Sequence, residues 1–221
     1  MKTISETTYP AADVWAAAVA AQRINKKYIS RNTYSTDPSN YDIMRKLLRF
    51  ELSNCITDDD RVQAVIIREF FQNLMFGYLQ GSLAEFMTAA FHASTVENIS
   101  VGIRGAMPII ASLPSTWENE QKKIANRAII DALEAASTPW GKVGQVLPDN
   151  FDVKIVTCVY SKKYGTWAVN AVQDNHLFFF WSNEAIEVGK IVRLAGKVKK
   201  HYKGQTTQLA IFGKEIQNAA D

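Results

Sequence analysis

The sequence predicts an α+β protein: an all-helical N-terminal domain over residues 1–139, then a five-stranded β-barrel over residues 143–216. Three observations carry this. Apolar residues recur at helical spacing through the first 140 residues and switch to a period of two after Trp140-Gly141. Five runs rich in β-branched and aromatic residues follow, separated by turn-forming residues. The charge divides at the same place. Residues 1–140 carry 14 Lys/Arg against 15 Asp/Glu, and residues 141–221 carry 11 against 7.

The helical elements follow in order. Pro10 suits the first turn of an alanine-rich helix through Ala11–Lys27. Asp37-Pro38-Ser39 breaks the chain, and Ser39 is placed to N-cap a helix running to Leu52. Thr57-Asp58-Asp59-Asp60 opens the longest helix, where Val62, Val65, Ile66, Phe70 and Leu74 predict the buried stripe. Gly77 to Gly81 end it, and Leu83–Ala93 reads as another helix. Gly102, Gly105, Pro108 and Pro114 interrupt the next stretch, predicting loops and a short helix. A helix from Trp117 to Ala136 follows, with Ala125, Ile129, Ala132, Leu133 and Ala136 on its apolar side, and Ser137-Thr138-Pro139 closes it.

The strands are read the same way. In 151–160, Phe151, Val153, Ile155, Thr157 and Val159 alternate with the other face. Trp167–Gln173 is the second strand and Asp174-Asn175 a hairpin turn. His176–Trp181 is the third, with Leu177, Phe179 and Trp181 predicted to fill the barrel and His176, Phe178 and Phe180 to face outward. Ser182–Gly189 reads as a loop or short helix. Ile191–Lys199 and Thr206–Phe212 complete the set.

Two loops share one chemistry. Ser161-Lys162-Lys163-Tyr164-Gly165 and Lys199-Lys200-His201-Tyr202-Lys203-Gly204 each place paired cations beside a ring, then a glycine that lets the chain turn. Cations meet phosphates and rings stack on bases, so the pair points to single-stranded nucleic acid. The stretch 154–203 holds 9 Lys/Arg against 3 Asp/Glu, which points to a polyanionic partner. Strand, loop, hairpin, link and second hairpin is the order of an oligonucleotide-binding (OB) fold. That barrel binds on its strand 2–3 face, between the loops joining strands 1–2 and 4–5. The two basic loops are those loops.

Gly189-Lys190-Ile191-Val192-Arg193-Leu194-Ala195-Gly196-Lys197-Val198-Lys199-Lys200-His201, with Tyr202, Gly204 and Thr206-Thr207-Gln208-Leu209, resembles the last hairpin of OB-type domains in phage-associated DNA-binding proteins. The similarity spans residues 143–213, about a third of the chain. It implies an OB-like barrel that binds single-stranded DNA in phage-type replication or recombination, in the host cytoplasm. Residues 215–221 do not match the acidic tail of bacterial single-strand-binding proteins, which argues against partner recruitment through such a tail.

The candidate interface comprises Lys162, Lys163, Tyr164, Trp167, Phe178, Phe180, Arg193, Lys197, Lys199, Lys200, His201, Tyr202 and Lys203. Arg193, Lys197 and Lys199 share a strand parity suited to following a phosphate backbone. No enzyme is expected. His92, His176 and His201 lack metal-ligand spacing with Cys55 or Cys158, and neither a phosphate loop nor a Gly-x-Ser-x-Gly elbow is present. Asp58-Asp59-Asp60 reads as helix capping, and no cofactor or metal is expected.

The two cysteines read as reduced thiols of a cytoplasmic protein. MKTISETTYP has no apolar stretch of the secretory kind, and no run reaches the roughly 18–20 apolar residues of a membrane span. The helical domain is expected to mediate self-assembly or contact with replication or recombination proteins. Two further readings stand beside this: an adaptor that uses the barrel as a scaffold, and an RNA binder.

Overall fold

A computed structural model describes residues 7–31, 36–49, 53–100, 105–202 and 205–216. The protein is mixed α+β. Its chain divides into two compact units, Met1–Lys122 and Lys123–Asp221, the division falling inside a long helix.

In the first unit, strand β1 (Thr8–Pro10) leads directly into helix α1 (Ala11–Asn25). Helices α2 (Asn40–Leu48), α3 (Asp58–Gln72), α4 (Met75–Leu79) and α5 (Glu85–Thr95) follow, then strand β2 (Asn98–Ser100), which pairs antiparallel with β1. Short α6 (Met107–Ile110) precedes the long α7 (Leu113–Ala136). Every residue of α1 from Val14 through Gln22 is buried, because its alanines let neighbouring helices approach closely on nearly every side. Trp15 and Phe71 anchor this core, their ring centroids 6.3 Å apart.

Side chains close the helix starts as expected. Ser39 Oγ accepts the Asp42 amide at 3.2 Å, and Thr57 forms a capping box with Asp60. The buried stripe of α3, however, is Asp60, Ala64, Ile67 and Phe71; of the predicted stripe, Phe70 and Leu74 pack half-buried against the core. Val62, Val65 and Ile66 are exposed, Val62 by 62%. The cause is packing: Ile67 and Phe71 enter the core around Trp15 of α1. An ion pair joins the same side, Arg23 of α1 gripping Asp60 with two hydrogen bonds, Nε to Oδ1 at 3.0 Å and Nη2 to Oδ2 at 2.8 Å. Burial opposes ionisation of the Asp60 carboxyl. The bonds from Arg23 and from the Thr57 amide and hydroxyl outweigh it and hold that carboxyl below its usual range. The expected apolar side of α7 is likewise open, with Ala125 and Ile129 exposed.

In the second unit, strands β3 (Asp152–Ser161), β4 (Thr166–Gln173), β5 (His176–Ser182), β6 (Ile191–Tyr202) and β7 (Thr206–Ile216) form one sheet in the order β3-β4-β5-β7-β6. Neighbours run antiparallel except β5 and β7, which are parallel, and β6 pairs with β3 as well as with β7. Asp174-Asn175 makes the two-residue turn of the β4–β5 hairpin, with Asp174 at φ +50°. Residues 183–190 form bends and turns without a helix.

Three irregularities reset the strand parity. The β3–β4 register skips Val156, so Cys158 rather than Thr157 stands opposite the buried Val169 and packs against the core, while Tyr160 pairs with Trp167 and is half-exposed. The β6–β7 register skips Phe212 on β7 and Lys199 on β6. Phe151, Val153, Ile155, Val169, Ala171, Phe178, Phe180, Val192, Leu194, Val198 and Leu209 fill the interior.

Candidate nucleic-acid interface

The outer face of the sheet is built row by row. Thr157, Asn170, Phe179, Gln208 and Lys200 lie opposite one another across five strands. Asn170 Nδ2 donates to Thr157 Oγ1 at 2.9 Å, so the row is polar at one end, aromatic in the middle and cationic at the other. Two residues along β5, Trp181 stands on the same face opposite the small Ala168.

The loop between β3 and β4 brings a third ring. Ser161 O accepts the amides of Tyr164 at 3.2 Å and Gly165 at 2.9 Å, and Gly165 takes φ +64°, which a glycine adopts without strain. That turn carries the exposed Tyr164 over to Trp181, ring centroids 5.1 Å apart. Trp181 meets Phe179 edge-on at 5.2 Å, and Phe179 lies 6.4 Å from Tyr202 at the end of β6. Four rings thus run from one basic loop to the other. Lys163 Nζ stands 5.3 Å from the Tyr164 centroid and Lys200 Nζ 4.1 Å from that of Tyr202.

Between the rings is a cleft of about 410 Å³ lined by Tyr164, Thr166, Trp181, Lys199, Lys200, Tyr202 and Gln208. Among these lining residues are two cations and no carboxylate. Both lysines reach it because the skipped position at Lys199 breaks the alternation that would send neighbours to opposite faces.

Of the predicted site residues, the cleft therefore gathers Tyr164, Lys199, Lys200 and Tyr202. Lys163 flanks it, and Lys162 is exposed in the same loop. Others lie elsewhere. Phe178 and Phe180 are 0% and 1% exposed and belong to the core, which corrects the predicted parity of β5. The reason is register: the hairpin turn sets them opposite the buried Ala171 and Val169. Trp167 is half-buried against the core, 5.2 Å from Tyr160.

Arg193 makes two bonds to Asp152, at 2.8 and 3.0 Å, so it is committed to the β3–β6 pair rather than to a shared cationic track. Lys197 lies over Phe212, 5.9 Å from its centroid. His201 Nδ1 is 3.2 Å from Thr207 Oγ1, which also accepts the Trp140 amide at 2.9 Å. Lys203 lies outside the described residues. Sequence reasoning missed Trp181, Thr166 and Gln208 as cleft residues, and Phe179 as the ring between Trp181 and Tyr202.

Among the described residues, no cluster of three or more His, Cys, Asp or Glu could hold a metal ion, and no helix is long and apolar enough to cross a membrane. No protein-family model matches the chain, and comparison with curated proteins and with solved structures found no match.

Proposed function

We propose that the second unit is an OB-like barrel that binds single-stranded DNA, largely independently of sequence, in replication or recombination of the phage type. The observation that carries this reading is the row of four rings, Tyr164, Trp181, Phe179 and Tyr202, bracketed by Lys163, Lys199 and Lys200. Exposed rings at such spacing offer stacking surfaces to successive bases, and every base has a face to stack. The lysines take the phosphates. The strand order, with β5 and β7 parallel, and the position of the rings between the two basic loops suit the binding face of that fold.

The first unit takes the partner role in this proposal, through self-association or contact with replication or recombination proteins. Val62, Val65 and Ile66 on α3 and Met75, Phe76 and Leu79 on α4 support it, since they are large apolar side chains left exposed.

The test is fluorescence anisotropy with a labelled oligo-dT of about 30 nucleotides, roughly twice the largest site size of one such barrel. Three or four lysine–phosphate contacts give a log–log salt slope of about −2 to −3, at roughly 0.7 per contact. Binding that prefers the single strand over a duplex with that slope is expected. No binding at low salt would discard the reading.

A further inference from the structure

We propose that Gln208 reads the edge of one base seated in the cleft and favours bases with an exocyclic amine, adenine, cytosine and guanine, over thymine. This deepens, and rests on, the single-strand reading above. Gln208 occupies the outward row of β7, between Phe179 on β5 and Lys200 on β6. It lines the cleft although it is only 4% exposed, covered by the aromatic and cationic side chains around it. Its Oε1 is shielded from solvent and accepts no hydrogen bond. A buried acceptor without a donor is costly, and most such atoms in folded proteins have a partner. Here the missing donor is one that a ligand of the cleft supplies.

The surroundings say what kind of ligand. Tyr164, Trp181 and Tyr202 offer ring faces and edges for a flat group, and Lys199 and Lys200 offer charge to the backbone that carries it. A base stacked there points one edge at the floor, where Gln208 lies. The terminal amide torsion is broad and two-fold, so the amide turns toward the cleft at little cost. An exocyclic amine projects beyond its ring and reaches a recessed acceptor. Adenine N6 then donates to Oε1 while the adjacent ring nitrogen accepts from Nε2, the pairing by which glutamine recognises adenine. Cytosine has the same order with N4 and N3. In thymine the N3–H is set back between two carbonyl oxygens that would face Oε1, whereas guanine offers its 2-amine to the same acceptor. One such interaction adds about three- to tenfold in affinity, so it tilts a largely sequence-independent surface without making it sequence-specific.

Two single strands of equal length decide the matter in anisotropy titrations with the full chain. One is all deoxyadenosine. In the other every base is purine, lacking only the 6-amino group, so charge and stacking are retained. Three- to tenfold tighter binding of the amine-bearing strand is expected. Gln208→Met should bring the ratio to one at unchanged salt slope, whereas Gln208→Glu, which keeps an acceptor, should preserve it. Equal binding of the two strands by the wild-type protein overturns the proposal, as does a ratio that survives in Gln208→Met. The wild-type comparison requires no variant to fold. Failure to bind either strand, or oligo-dT, at low salt is a different result and overturns the single-strand reading itself.

Discussion

Trp181 gives the most direct test of the proposed binding face. It is 37% exposed and stands at the centre of the ring row, with Tyr164 at 5.1 Å and Phe179 at 5.2 Å. Trp181→Ala removes one stacking surface and no charge. At about 1–3 kcal/mol per stacked base, the Kd for oligo-dT should rise about 5- to 150-fold. The salt slope should stay where it was, because the number of neutralised phosphates is unchanged. The paired variant is Lys199→Ala with Lys200→Ala. It leaves Trp181, Tyr164 and Phe179 in place and should flatten the slope by about 1.4, at roughly 0.7 per lysine. Its loss of affinity should therefore be large at low salt and shrink as salt rises.

Anisotropy at four or more salt concentrations separates the two signatures, with far-UV circular dichroism to establish that each variant is folded. A folded Trp181→Ala protein that binds as tightly as the wild type would refute the assignment of this face. So would a double lysine variant whose slope does not move.

Phe178→Ala should behave in the opposite way to Trp181→Ala, lowering the unfolding free energy by about 3–5 kcal/mol in a urea titration, because that ring is buried against Phe151. Gly196→Ala should cost about 1–3 kcal/mol by the same measurement, since a Cβ there would lie 2.5 Å from the Ala210 carbonyl oxygen and push β6 from β7. Asp60 makes the helical unit acid-sensitive. Its carboxyl is held below the usual range, so the folded state binds fewer protons than the unfolded one. The stability it supplies is present above about pH 4, the ordinary aspartate value, and is lost as pH falls through the lower folded value. Asp60→Asn should cost about 1–2 kcal/mol at pH 7, discounted because Arg23 is half-exposed, and the gap to wild type should narrow as the pH is taken below about 4.

Much of the architecture was legible because local chemistry decides it. Ser39 caps the helix it was expected to cap, Thr57 with Asp60 closes the helix start that Thr57-Asp58-Asp59-Asp60 was expected to open, and Asp174-Asn175 makes the turn its composition predicts. The faces of the elements were harder to read, since a face is fixed by what lies opposite. On α3 two apolar stripes compete, one through Val62 and Ile66 and one through Ala64, Ile67 and Phe71. Burial of Ile67 and Phe71 around Trp15 of α1 selects the second, and the pair between Arg23 and Asp60 joins the same side, at sequence separations that periodicity does not sense.

On β5 the run Phe178-Phe179-Phe180-Trp181 is aromatic on both faces, so alternation alone assigns neither. The arbiter lies on the neighbouring strand. Once the two-residue turn at Asp174-Asn175 is accepted, counting back from it sets Ala171 against Phe178, Asn170 against Phe179 and Val169 against Phe180. An asparagine between two small apolar residues belongs on the outer face, and it takes Phe179 and Trp181 outward with it. That inversion moves the aromatic surface onto the same face as Tyr164 and Tyr202. The rings predicted to stack become the core that holds the sheet in shape, and those predicted to be core become part of the proposed binding face.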